Sequence, residues 1–230
     1  SRIESYPRAA AAAEADWFSV DIRQACNMGF RDDAADNNQG GWTDSGGAFD
    51  LDPFGPGFGL KKFYGGPFLL LDPAENNDRT MVTMKSGWKT HAHFPDHVSV
   101  PVGRKAAALY ILHASSWAGT QWGMGATRRY EVVYRDGTVE AIPVICAGGH
   151  DNIGNWMWLP SGGEPLVESD TARPVPIEFP GDYGLFRYLF TLEWVNPHPE
   201  REIERFDVVT HDDKLWFTLV LLAVSGLAAK

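Results

Sequence analysis

Cysteine is nearly absent from this chain: Cys26 and Cys146 are the only two in 230 residues. One pair could close a single disulfide in an oxidising compartment, but it makes no framework, and two buried free thiols read at least as well. Long apolar runs are lacking too. The longest, Leu215 to Leu227, is too short and too interrupted to span a bilayer and reads as a final core strand, so no membrane partner is expected. Positive charge is scarce, with 20 Lys and Arg against 30 Asp and Glu and a formal net charge of −10. The only adjacent basic pairs are Lys61-Lys62, Arg104-Lys105 and Arg128-Arg129, whereas a phosphate-tracking surface needs clusters. No nucleic-acid partner is expected. Strongly anionic polysaccharides would be repelled unless a cation bridged them, which leaves neutral glycans as the easier partner.

Helical periodicity long enough for a βαβ crossover is missing, which excludes a parallel α/β sheet. Enzyme signatures are missing as well: no Gly-x-Ser-x-Gly, no His-Glu-x-x-His and no phosphate-cradling loop opening a helix. Asp44, Asp136, Asp151 and Glu193 are available as the facing carboxylates that glycoside hydrolysis requires, but any chain of this size offers such pairs. The chain is therefore not expected to be an enzyme. The alternatives are a small glycoside hydrolase or polysaccharide lyase on the same fold, and a structural spacer that binds no sugar.

What is present is a series of short strand-like runs separated by turns, with Gly 24 and Pro 15 supplying the turns. Residues 1–16, with the run Ala9 to Ala13, read as a linker or N-terminal extension, and 17–228 as a single β-sandwich domain. Trp17 to Ile22 alternates as a half-buried strand does. A polar, Gly-rich stretch follows from Arg31 to Gly59, too polar for a core and of a length usually reserved for function. Further strands are predicted at Pro67 to Leu71, Thr80 to Met84 and Val98 to Val102, the last ended by a turn at Gly103-Arg104-Lys105. Ala107 to His113 is nearly continuously apolar, as a central strand covered on both faces would be. Asp136-Gly137 between Arg129 to Tyr134 and Val139 to Val144 is a strong hairpin signal. Tyr188 to Val195, Ile203 to Val209 and Leu215 to Val224 complete roughly nine to eleven strands. The fold expected is all-β, an antiparallel β-sandwich of jelly-roll type.

Aromatic residues are abundant, with nine Trp, seven Tyr and thirteen Phe. Sugar rings present C–H faces that stack on indole planes while their hydroxyls stay hydrogen-bonded, so tryptophans in loops are candidate platforms. Trp42, Trp88, Trp117, Trp122, Trp156 and Trp158 lie in Gly-rich segments, while Trp17, Trp194 and Trp216 lie in strand-like runs and read as core. The best pairs are Trp117 with Trp122 and Trp156 with Trp158, each bracketing a small polar loop. Asp44, Asn152 and Asn155 are the candidate polar partners. The competing reading is that loop tryptophans fold back to cap the sandwich ends.

The stretch Arg31 to Asp44 concentrates oxygen donors among glycines, which suits Ca²⁺. Asp32, Asp33, Asp36, Asn38 and Asp44 are the candidate ligands of such a structural ion, although the bidentate Glu of an EF-hand is missing. A solvated acidic loop held by its own Asx turns is the competing reading. His91 and His93 would share one side of a strand and could share a metal, but a metal-free pair is the commoner arrangement. His113, ending an apolar strand, reads as a core residue.

Several segments together resemble the β-sandwich accessory domains of large secreted bacterial glycoside hydrolases and other polysaccharide-degrading proteins. They are Phe18-Ser19-Val20-Asp21-Ile22 with Asn27-Met28-Gly29-Phe30, then Gly40-Gly41-Trp42-Thr43-Asp44-Ser45-Gly46 and Leu109-Tyr110-Ile111-Leu112-His113-Ala114. Next come Tyr130 to Thr138, Ile142-Pro143-Val144, Asn152-Ile153-Gly154-Asn155-Trp156 and Trp194-Val195-Asn196-Pro197-His198-Pro199. Their order spans nearly the whole chain, and such domains are similar to jelly-roll carbohydrate-binding modules. The resemblance implies a non-catalytic role beside a catalytic domain in the same parent protein, with a polysaccharide or oligosaccharide as partner. It also implies a secreted, cell-surface or periplasmic bacterial location. It carries over no binding-site residues. The sequence departs from the pattern where Met157 separates Trp156 from Trp158 and in the Gly/Pro-rich stretch Pro53 to Gly59.

Overall fold

The computed structural model describes residues 16–37, 41–47, 57–88, 91–117, 128–146, 151–158, 169–177, 186–211 and 215–229. Among these residues there are twelve strands and no α-helix, and every ladder between strands is antiparallel. The organising element is β5 (His97–Ser116), a single strand of 20 residues. Its first half pairs with β11 (Glu202–Thr210), which pairs in turn with β6 (Arg128–Tyr134) and then β7 (Val139–Val144). Its second half lies between β12 (Thr218–Ala228) and β10 (Phe186–Val195). That layer is extended by β1 (Trp17–Val20) and β4 (Val82–Thr83) on β12, and by β8 (Met157–Trp158) and β9 (Ala172–Ile177) on β10. One long strand thus serves both layers of an antiparallel β-sandwich.

Gly103 is what lets β5 do so. Opposite it, the β11 register jumps from Ile203 paired with Arg104 to Arg205 paired with Pro101, so Val102 and Gly103 face the single residue Glu204. This is a β-bulge, and Gly103 takes φ +62 within it, where a side chain would be strained. The turn expected at Gly103-Arg104-Lys105 is therefore a bulge inside a continuous strand. The two candidate strands on either side of it are one.

The expectation that the apolar run of β5 is covered on both faces holds. Leu109 and Ile111 point into the core between the layers with Tyr130, Val132, Phe206 and Val224. Ala108, Tyr110 and Leu112 point the other way, into a second core with Phe68, Leu70 and Leu222. That outer core is roofed by the hairpin β2 (Gly59–Phe63) and β3 (Gly66–Leu70), tied down where the Ser225 hydroxyl donates to the Pro67 carbonyl. Each large apolar side chain so enclosed contributes about 1.5–3 kcal/mol of transfer free energy. The outer core also takes Trp42, fully buried, from the segment whose polarity argued against core character.

The Asp136-Gly137 hairpin forms as read. Gly137 takes φ +85, its N–H donates to the Tyr134 carbonyl, and the Asp136 carboxylate accepts from the Thr138 amide. Cys26 and Cys146 are buried free thiols, each pushed up to about 12 by burial first and by a nearby aspartate second.

Candidate functional site

The β5–β12 ladder ends where Ser116 faces Thr218. Three tryptophans gather at that end. Trp117 is the residue after β5 and takes φ +57, a left-handed turn that a bulky side chain adopts at a cost of about 1 kcal/mol or more. Trp216 lies two residues before β12. Trp88 arrives on the segment after β4, which continues the ladder beside β12: the Met84 amide donates to the Leu219 carbonyl and the Gly87 amide to the Leu215 carbonyl. The rings of Trp88 and Trp117 stack at 5.3 Å between centroids, and Trp216 stands edge-on to Trp88 at 4.8 Å. All three are half-buried, so part of the cluster meets solvent.

Each indole is paired in sequence with a buried hydroxyl: Ser86 with Trp88, Ser116 with Trp117, and Thr218 with Trp216. The Thr218 hydroxyl donates to Ser86 Oγ at 2.8 Å, and the Trp88 amide donates to the same oxygen at 3.3 Å. His91 completes this polar group, with Nδ1 hydrogen-bonded to Thr218 Oγ1. Burial, followed by the neighbouring His93, pulls His91 down to about 4, so the ring is neutral at ordinary pH. Ser116 Oγ is buried without a hydrogen-bond partner among the described residues, and a hydrogen bond with the Trp42 backbone opposes the lowering at His91. Among the described residues, the site is a cluster of three indoles beside a buried group of uncharged polar side chains.

The candidate sugar-binding residues fall in different places. Trp117 is in the cluster, and Trp122 lies outside the described residues. Trp156 is only 2% exposed, packed edge-on to Trp42 at 5.3 Å and under the Arg187 guanidinium at 5.0 Å. It is a core residue here, with no open face. Trp158 contributes backbone to β8, and its side chain lies outside the described residues. Asn152 is buried and its amide is engaged: Oδ1 accepts from the Ile145 amide and Nδ2 donates to the Pro143 carbonyl, closing the loop after β7. Asn155 bridges to Ser115 and sets the Trp156 segment beside the end of β5. Asp44 is buried, and its carboxylate accepts from the Asn37 amide.

Of the candidate calcium ligands, Asp32 is buried and accepts from the Ala34 and Gly46 amides, which is an Asx-turn arrangement. Burial raises its pKa, backbone donors oppose the rise, and nearby Asp44 adds to it. Asp33 and Asp36 are exposed, and Asn38 lies outside the described residues. Among the described residues no group of three or more His, Cys, Asp or Glu side chains is placed to hold a metal. His91 and His93 stand in a turn rather than on a strand, the first enclosed and the second exposed, so strand alternation does not put them on one side. His113 is a core residue bonded to Tyr130 and to the Asn152 carbonyl. Of the four carboxylates available for hydrolysis, Glu193 is enclosed and accepts from the Tyr110 hydroxyl, and Asp136 sits in the exposed hairpin turn of the other layer.

Sequence reasoning missed Trp88 with Trp216 as partners of Trp117, because Trp216 was read as strand core. The available signal was the hydroxyl residue within two positions of each. No protein-family model matches the chain, and no curated protein matches its sequence.

Proposed function

We propose that this chain is a non-catalytic carbohydrate-binding or accessory module of a secreted bacterial polysaccharide-degrading protein. The observation that carries the reading is the cluster of Trp88, Trp117 and Trp216, half-exposed at one end of a rigid sandwich. An aromatic cluster held by its own ring contacts and partly open to solvent meets a sugar at little entropic cost. The sequence resemblance supports the same class of role. Affinity is expected to be modest, about −4 to −8 kcal/mol, as suits a partner resting on a surface rather than filling a deep pocket.

Affinity electrophoresis through gels containing neutral or acidic polysaccharides, run with and without a calcium chelator, tests this reading. Retardation by a neutral polysaccharide without product formation is the expected result. Retardation lost on chelation would bring Asp32, Asp33, Asp36, Asn38 and Asp44 back as holders of a structural Ca²⁺. Absence of retardation across a broad panel would count against a binding module and in favour of a spacer beside a catalytic domain. Release of oligosaccharides would establish an enzyme.

A further inference from the structure

We infer that the open cavity between the Met28–Phe30 segment and the loop after Pro73 is a sugar subsite, separate from the tryptophan cluster, that holds neighbouring hydroxyls of one sugar ring. This rests on the carbohydrate-binding reading above and adds a second place where binding occurs, with the groups that recognise the ring.

The cavity has a volume of about 270 Å³, walled by Met28, Phe30 and Pro73 and bordered by Arg31 and the run Asn77-Asp78-Arg79. That volume is at the small end of ligand sites and suits one ring rather than a length of chain. Its two sides are locked together. The Met28 carbonyl accepts from the Thr80 and Met81 amides, and a Cβ built at Gly29 would stand 2.3 Å from the Asp78 carbonyl oxygen. The loop is also braced from within: the Asp78 amide donates to the Pro73 carbonyl, and Asn76 Nδ2 donates to the carbonyls of Arg23 and Arg79 at 3.1 and 2.7 Å. A cavity held this way keeps its shape when empty, so little ordering is needed on binding.

The loop divides its polar side chains between two jobs. Asn76 ties the backbone together, and Asn27 on the opposite wall is engaged with the Thr83 backbone through both ends of its amide. Asn77, Asp78 and Arg79 are exposed, and among the described residues none of their side chains has a hydrogen bond or ion pair. Asn77 and Asp78 reach their places through successive left-handed conformations, φ +53 and +60, which are unfavourable for residues with a Cβ. The guanidinium of Arg79 only donates, the carboxylate of Asp78 only accepts, and the amide of Asn77 does both. A sugar hydroxyl also donates and accepts, so two neighbouring hydroxyls can engage all three groups. A carboxylate ligand is drawn to Arg31 and Arg79 but repelled by Asp78, and an ammonium is repelled by both guanidiniums. Met28 and Pro73, both half-buried, give the C–H face of the ring an apolar surface. The cavity precedes β4 in the chain, Trp88 follows it, and the two sites share no residue.

The test uses the whole chain, with cellopentaose, mannopentaose, xylopentaose and maltopentaose as neutral probes and tetragalacturonate as an acidic one. Calorimetry compares the unmodified chain with Arg79→Ala and Asn77→Gly. Both variants should keep the fold, since Arg79 is exposed without a side-chain bond and glycine readily takes the positive φ at position 77. The expected result is that at least one neutral pentaose binds and that each variant weakens it about three- to tenfold, with thermal midpoints close to the parent's. Full-strength binding by both variants overturns this subsite while the module reading stands. Tetragalacturonate binding more tightly than every neutral pentaose, and losing that binding in Arg79→Ala, makes the cavity a carboxylate site and overturns the hydroxyl assignment. No binding by any probe overturns both.

Discussion

At the scale of single residues, His91 and His113 are enclosed by the fold, and burial leads the causes that bring them to about 4 and about 3 from an ordinary 6.5. His113 is held as a neutral ring by two bonds: Nδ1 faces the Tyr130 hydroxyl at 2.8 Å and Nε2 faces the Asn152 carbonyl at 3.2 Å. Burial raises Tyr130 well above 10, so its O–H persists as the donor and Nε2–H is left to meet the carbonyl. Between pH 6.5 and these lowered values the unfolded chain binds protons that the folded chain refuses. Stability is thus full above about 6.5 and falls with acidification, by about 1.4 kcal/mol per pH unit for each histidine. From pH 7.5 to pH 5 the two together should remove roughly 4 kcal/mol and lower the thermal midpoint by about 10 °C. Thermal unfolding across that range, with imidazole NMR signals that fail to titrate, checks this. A flat midpoint would show that neither histidine is excluded from protonation.

These two residues also show what sequence can and cannot report. His113 was readable as core because it ends an apolar strand whose neighbours are all buried. His91 was not, because its burial depends on Thr218, which is distant in sequence and arrives only when β12 forms. Trp156 misleads for the same reason: it sits in a polar Gly-rich segment, yet Trp42 and Arg187 close over its ring.

At the scale of elements, β1 and β12 meet through an unusually close contact. Phe18 is the cross-strand partner of Gly226 and lies across it, with the Arg104 guanidinium over its ring at 4.7 Å. A Cβ built at Gly226 would stand 2.0 Å from the Phe18 ring. The ring tip of the half-buried Phe18 occupies the space a side chain would need, so it must move for a Cβ to fit. Gly226→Ala should destabilise by about 1–3 kcal/mol, seen as a lower urea midpoint at unchanged slope. Adding Phe18→Leu should recover part of that loss, since the double variant removes the clash. If Gly226→Ala unfolds at the same urea concentration as the parent, the strand is free to shift and the contact is not a constraint.

The strands that sequence revealed are those whose local chemistry and tertiary role agree. The β6–β7 hairpin is one, with Asp-Gly at its turn and β-branched residues on both arms. The strands it concealed are those where the two disagree. β9 carries Pro174 and Pro176, β2 carries Lys61-Lys62, and β8 is two residues long, so each draws its strand character from a neighbour rather than from its own residues.

At the scale of the whole molecule, the prolines that hid β9 have a purpose at the free edges of the two layers. β9 pairs only with β10, and β7 pairs only with β6, so each presents an outer row of backbone groups among the described residues. In an extended strand the N and O of one residue point the same way. The Pro174 carbonyl accepts from the Tyr64 hydroxyl, and the Pro143 carbonyl accepts from the Asn152 amide, so both lie on the outward side. Pro176, two residues on, shares the direction of Pro174. Pro176 therefore sits where a donor would face another chain and removes one rung from any edge-to-edge ladder, whereas Asn152 already covers the edge at Pro143. Restoring that donor in Pro176→Thr should promote association between copies. The net charge of −10 opposes that contact at low salt, so the comparison belongs at about 1 M salt, where screening is effective beyond about 3 Å. Sedimentation velocity should then show larger species for the variant than for the parent at equal concentration. Identical distributions would mean that charge and edge twist, rather than proline, keep these sheets from joining.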